Sequence, residues 1–432
     1  MLGHAGLLAA SGTVLVPSKV LLLQRRHSPT TMAAGSTSVS YQPVAGAEYV
    51  HTTSYAEANR QATAPAAFTF SKFGTRGYAN SLSAANVVQR FRKNGANGNQ
   101  SVTLAPAALG YSADSSNTDS VVANDTFSTS LALSSTSGTG TFAAALTAMT
   151  MEMGDTTDHW MLYRGSAAQS VPASSGKSCI WSPAGLNTDP NTAQLVAAAV
   201  PIKWRCAASI EVLACTVSAN TLSADLVLTL WVNGVATAMT GTIAAGSTSR
   251  VVFTGGPLTL ADGDTISVQT TFGSQTGAFT MVEFEMWTKT DRATPEAMQI
   301  ASHAVGVNDT VTGGFTYYKG LSGSTQPTST VALTEANFAV PHGFTGRAKK
   351  ASVYVREANG AGVTSTLYYR VGGVTSSVGV NIPALGSGFY DDTSGATADF
   401  GPDDLCCWRF TRSGTGSIVT MSYSVVEEYV SG

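Results

Sequence analysis

The sequence predicts an all-β protein made of three tandem antiparallel β-sandwich domains of jelly-roll or Greek-key type, each of about 139 residues, a usual domain size. Three observations predict it. A two-residue turn recurs at Asn94-Gly95, Asn233-Gly234 and Gly372-Gly373, in two equal steps along the chain, and self-similarity at a fixed period marks repeated structural units. Within each unit the residues alternate: Ile266, Val268, Thr270 and Phe272 stand against Ser267, Gln269 and Thr271. A period of two puts one set on a buried face of a strand and the other outside. Finally, only 12% of residues are charged and 43 are glycine, where soluble proteins carry about 25% charged residues. That composition excludes a helix-rich, charge-laced fold, and no segment of ten residues reads as a convincing helix.

In chain order, residues 1–15 form a mildly apolar arm broken by Gly3, Gly6, Ser11 and Gly12. It has no Lys or Arg before Lys19, so it lacks the basic start of a secretory signal and is expected to dock on a neighbouring protein. The three sandwiches then span 16–153, 154–290 and 291–432. Each opens with a matching stretch, VLLLQRRHSPTTMAAGSTSVSYQPVAG ending at Gly46, HWMLYRGSAAQSVPASSGKSCIWSPAG ending at Gly185, and MQIASHAVGVNDTVTGGFTYYKGLSG ending at Gly323. Pro65, Pro201 and Pro341 introduce another strand. LVLTLWV runs into Asn233-Gly234 as a hairpin, because a type I′ turn needs positive φ at both central residues. This places Phe91, Leu230 and Tyr369 at one equivalent position. Asp125, Asp264 and Asp404 open the next alternating segment, whose equivalents are Phe127, Ile266 and Cys406. Ser137-Gly138, Thr276-Gly277 and Ser413-Gly414 precede the closing strands AALTAMTMEM, FTMVEFEM and VTMSYSVVEEY. The count comes to seven to nine strands per unit. The joins, 153–159 and 287–298, are short enough to set neighbouring sandwiches side by side, and a compact pseudo-trimer in which the first and third units touch is expected.

Residues 218–267, SANTLSADLVLTLWVNGVATAMTGTIAAGSTSRVVFTGGPLTLADGDTIS, resemble a β-sandwich repeat of structural proteins in tailed-bacteriophage virions. The segments 243–246 and 382–386 match its "IPAG" stretch, which 104–109 echo loosely in the first copy. The resemblance implies the architecture and membership of a virion, without saying which part.

The chemistry points the same way. With 24 basic against 27 acidic residues, net charge −3, there is no electrostatic footprint for nucleic acid or an anionic membrane surface, and no apolar run approaches the ~18 residues of a membrane helix. The five cysteines, 179, 206, 215, 406 and 407, form no C-x-x-C pair, which argues against a zinc site or a disulfide scaffold. Cys406 is expected to be a buried thiol and Cys407 to face the other side of its sheet. The six histidines lack metal-ligand spacing and no G-x-S-x-G elbow occurs. Asp262, Asp264, Asp391, Asp392, Asp399, Asp403 and Asp404 fall in loops, where calcium could find oxygen ligands. The recurrent Asp125, Asp264 and Asp404 precede strands, however, where a short carboxylate bonds its own turn. Nothing selects a carboxylate pair for glycoside hydrolysis. The tryptophans are expected in cores, with Trp231 nearest the surface, and the basic cluster 89–93 is expected to face an acidic neighbour. No catalytic, cofactor-binding or metal-binding residue is assigned, and no cofactor is called for.

The expected function is therefore that of a non-enzymatic virion structural protein of a tailed bacteriophage, a decoration or cement protein on the capsid surface. Its partners would be other virion proteins, the major capsid protein or tail proteins, with no nucleic acid and no membrane. The alternatives are a tail appendage or receptor-binding protein, and a carbohydrate-binding array meeting a host surface glycan.

Overall fold

The computed structural model describes residues 20–26, 31–48, 56–153, 158–173, 175–176, 178–183, 202–291, 296–302, 309–312, 316–319, 321, 335, 339–357, 360–414 and 417–429. The arm 1–15 lies outside them. The regular elements among the described residues are β-strands, with a 3₁₀ turn at Glu57–Asn59. The strands form one twelve-stranded sheet, one of six strands and three of five.

The period shows first in the hairpins Val87–Lys93/Ala96–Leu104, Leu226–Val232/Val235–Ile243 and Ser365–Val371/Val374–Ile382. Their central residues all have positive φ: Asn94 at 49° and Gly95 at 78°, Asn233 at 50° and Gly234 at 76°, Gly372 at 56° and Gly373 at 80°. In each copy the first hairpin strand also pairs with the strand after the recurrent aspartate, setting Phe91 opposite Thr129, Leu230 opposite Val268 and Tyr369 opposite Trp408. Phe91, Leu230, Tyr369, Phe127, Ile266 and Cys406 are all fully buried. They face a second sheet and close a sandwich core, since stacked sheets interdigitate across about 10 Å. In the first copy Phe70 of the facing strand Phe68–Asn80 lies 5.0 Å from both Phe91 and Phe127. In the third, Trp408 meets Tyr423 edge-on at 5.5 Å.

Two features depart from the expectation. Strands are more numerous than seven to nine per copy, because short pieces split off the long ones: ten lie among the described residues from Asp158 to Asp291. The large sheets of the first two copies are also not separate. Gly46–Glu48 pairs in parallel with Val20–Arg26 on one side and with Asp158–Pro172 on the other, fusing both into the twelve-stranded sheet. Gly46 turns the chain with φ 88°, carrying it out of the first sandwich to the edge of the second.

A second turn repeats as well. The N–H of Ala108, Ser247 and Gly386 bonds the carbonyl of Ala105, Ala244 and Pro383, and the third residue has φ 58° at Ala107, 69° at Gly246 and 59° at Leu385. Leu385 is 67% exposed and gains little packing for its left-handed backbone, which costs an L-residue about 1–2 kcal/mol. Leu385→Gly removes that cost but adds ~0.5–1 kcal/mol of chain entropy, so a net gain of about 0.5 kcal/mol is expected in urea denaturation. A loss of stability would mean that Leu385 packs.

Candidate functional site

The recurrent aspartates serve their turns. Asp125, Asp264 and Asp404 each accept the N–H three residues earlier, from Val122 at 2.9 Å, Ala261 at 2.7 Å and Gly401 at 2.7 Å. Asp125 and Asp264 also accept Asn94 and Asn233 Nδ2 at 2.7 and 2.6 Å, tying the hairpin tip to the next strand. The Asn94 amide, the Val122 N–H and Lys93 at 3.0 Å hold the Asp125 carboxyl down at about 2. The other loop acids are drawn into ion pairs or turns: Asp399 with Arg347, Asp391 with Lys203 and Arg205, Asp262 with Arg205 and Lys350, and Asp392 with Ser394. Asp403 is exposed. Among the described residues no three His, Cys, Asp or Glu side chains group to hold a metal ion.

The basic cluster does face an acid. Arg92 bonds Glu57 through Nε at 2.8 Å and Nη2 at 2.7 Å, and Arg370 bonds Glu335 at 2.8 and 2.9 Å. The step from Arg92 to Arg370 equals the step from Glu57 to Glu335, and each is two repeat lengths. Tyr41 and Tyr318 lie 5.3 and 5.6 Å beneath the two guanidinium groups. The second copy has Trp231 at the arginine position, half-buried. That shared double step is the signal by which sequence reading could have found Glu57 and Glu335.

The tryptophans lie mostly inside: Trp181, Trp204, Trp287 and Trp408 are buried, while Trp160 and Trp231 are partly so. His4, His27, His51 and His303 lie outside the described residues, and His159 and His342 are buried. All five cysteines are free. Cys406 joins the main core, whereas Cys407 packs with Ala339 and Tyr318 on the other side of the sheet. Burial pushes the Cys179 thiol up to about 11 and those of Cys206 and Cys215 to about 12. Since the thiolate is the reacting form, native protein is expected to react sluggishly with a thiol reagent near neutral pH and denatured, unreduced protein to show all five thiols. Fewer than five would reveal a disulfide.

The polar chemistry concentrates instead where the repeats meet. Between the first and second, Phe68 stacks on Trp287 at 5.3 Å and 6°. Arg164, buried in the second copy, lies 2.6 Å from Glu283 and donates to the carbonyls of Arg60 and Gln61, both at 3.0 Å. The Thr63 N–H reaches Glu285 at 3.2 Å. Between the second and third, Lys203 and Arg205 pair with Asp391, while Lys350 donates to Asp262 at 3.0 Å and to the Arg205 carbonyl at 3.4 Å. Between the third and first, Lys72 donates to the Gly343 carbonyl at 2.5 Å and Arg76 to the Ala339 carbonyl at 3.3 Å. Each time the segment around a repeat proline, 60–64, 202–205 or 339–343, sits on the next copy.

Lys72 and Lys350 are equivalents, again two repeat lengths apart, and both carry positive φ, 51° and 53°, next to register shifts in their strands. A bulge re-aims a side chain, and here it sends each lysine to the preceding copy.

No protein family and no curated protein matches the sequence. Solved structures that align along most of the chain include a chain from the triple jelly-roll fold and turret assembly of an archaeal virus, 11% identical over 95% of this chain and 91% of that one, TM-score 0.18. A chain of Sulfolobus turreted icosahedral virus is 11% identical over 85% and 80%, TM-score 0.18. The VP2 subviral particle of infectious bursal disease virus is 9% identical over 100% and 84%, TM-score 0.20. At these TM-scores the likeness carries no argument about the role of this chain, whose all-β fold stands on its own strands.

Proposed function

We propose that the chain is a non-enzymatic structural protein of a tailed-bacteriophage virion, a decoration or cement protein on the capsid surface. In this reading three β-sandwiches, 16–153, 154–290 and 291–432, close head to tail into a pseudo-threefold ring. The carrying observation is the cycle of contacts, first to second, second to third and third to first. Heterologous contacts form a ring when the rotation closes, and a ring buries sheet edges that a low-charge surface would otherwise offer for aggregation. The resemblance of 218–267 to phage structural repeats supports the virion setting. The use of Asp125, Asp264 and the arginine–glutamate pairs for turns and packing supports a role in holding shape. Its partners would then be other virion proteins, reached through hairpin tips and strand edges.

Gradient-purified particles encoded by the same genome test this. The chain is expected among their proteins by mass spectrometry, with immunogold against it labelling the head. Label confined to the tail would replace the decoration role by the tail-appendage role, and absence from particles would overturn both.

A further inference from the structure

The third copy differs from the others at its centre. Where the first packs Phe70, Phe91 and Phe127 and the second Leu230 and Ile266, the third buries Tyr369 and Cys406 together with His342 and Glu427, all four at 0% exposure. His342 Nε2 lies 3.1 Å from Glu427 Oε1, which also accepts the Tyr369 hydroxyl at 2.8 Å. The ring is held between Phe400, 4.2 Å between centroids, and Phe344 at 5.5 Å. The first two copies place Phe91 and Leu230 where the third has Tyr369, and Phe127 and Ile266 where it has Cys406, so the sandwich does not need polar groups at these two positions. In the third copy the segment that sits on the next copy carries a buried histidine, His342. Val340 pairs with Cys406 and the Gly343 N–H bonds the Pro402 carbonyl. Ala339 and Gly343, on either side of the histidine, supply the carbonyls that Arg76 and Lys72 of the first copy grasp.

We propose that His342 and Glu427 form a proton-operated latch that keeps the third-to-first seam closed. With the imidazolium facing the carboxylate, the segment 339–343 is anchored in the third core and presents both carbonyls to the first copy. Loss of the proton removes the imidazolium charge beside the Glu427 carboxylate, which favours hydrating it, and the anchor loosens on the segment that, among the described residues, joins the third copy to the first. Among the described residues the titratable groups beside His342 are Glu427, Tyr369 and Cys406, with Lys72 and Arg76 of the first copy on the carbonyls of Gly343 and Ala339. Full burial would lower the pKa of the ring, but its neighbours Cys406 and Glu427 outweigh burial and raise the value to about 10. A folded-state value above the ordinary 6.5 gives a stabilisation that is complete below pH 6.5, shrinks as pH rises and is gone above about 10. The latch is thus closed at neutral pH and released by alkali, whichever particle the chain belongs to.

Hydrogen exchange of the full chain, expressed as protection relative to the unfolded rate at each pH, tests this at about pH 7 and about pH 9, below the range in which lysines lose their protons. Protection across 339–343 and 72–76 is expected to fall about tenfold or more, while 60–64 and 202–205 keep theirs and the near-ultraviolet signal of Trp408, edge-on to Tyr369 at 5.7 Å, persists. The double variant His342→Phe/Glu427→Leu is expected to protect the seam equally at both pH values, and Glu427→Gln, which keeps an acceptor without the charge, serves if the double variant does not fold. The latch is overturned by an equal fall at all three seams, by no fall, by loss of the Trp408 signal together with the seam, or by pH dependence that survives in the variants.

Discussion

Replacing Arg164 with alanine is expected to lower the stability of the chain by about 3–5 kcal/mol, the range for removing one partner of a buried ion pair. Arg164 and Glu283 are both 1% exposed at the side chain and 2.6 Å apart, so the substitution leaves a carboxylate in the interior without its guanidinium. It also takes the donors from the Arg60 and Gln61 carbonyls, loosening the first copy from the second. Urea denaturation followed by tryptophan fluorescence reads both effects, because Trp287 stacks on Phe68 across this seam. Adding Glu283→Leu should recover much of the loss, since an apolar pair can replace a buried ionic one at little or no cost. A loss below ~1 kcal/mol, the scale of an exposed pair, would mean that water reaches the pair.

Gly46→Ala is expected to cost about 2–5 kcal/mol, adding the strain of a left-handed backbone to that of overpacking. A Cβ at Gly46 would overlap the carbonyl of Arg164. That obstacle is backbone within a long strand and cannot swing aside as a side-chain tip would. The parallel pairing of Gly46–Glu48 with Asp158–Pro172 should open, and limited proteolysis should cut there first. Gly35→Ala supplies the control: its φ is 89° and no atom lies within 4 Å of the added carbon, so only the backbone term of ~1–2 kcal/mol applies. Equal losses at the two glycines would show that the junction with Arg164 yields.

What could be read in the sequence is what neighbouring residues decide among themselves. Asn233-Gly234 demands its turn wherever it stands, and Asp264 finds a backbone N–H three residues away, so these features survive translation by one repeat length. The alternation likewise put Phe127, Ile266 and Cys406 inside, and Cys406 and Cys407 on opposite sides. The seams were not legible, because partner choice there spans distances no local pattern encodes. Gly46 was visible as the end of a repeated stretch, yet alternation cannot say that the next residues join a strand far along the chain. Nor did Arg164, inside HWMLYRG, differ from any outward residue of a strand. The polar core of the third copy was not legible: alternation placed Tyr369 and Cys406 inside like their apolar equivalents, and His342 and Glu427 lie 85 residues apart, so only the fold joins them.

The three seams use different chemistry: a buried ion pair with aromatic stacking, lysine and arginine on aspartates, and cations on backbone carbonyls. In a ring of three identical chains one codon change alters every joint at once, so a change useful at one joint is tested at all three. Here a change at Lys72 touches one joint only, and each can drift alone. The same separation fixes the order of the copies. A gene carrying the second copy three times would meet Glu211 where Lys72 or Lys350 is needed, and its joints would not reproduce the ones seen here. Three unlike copies in one chain therefore give up the economy of a short gene for three independently adjustable joints.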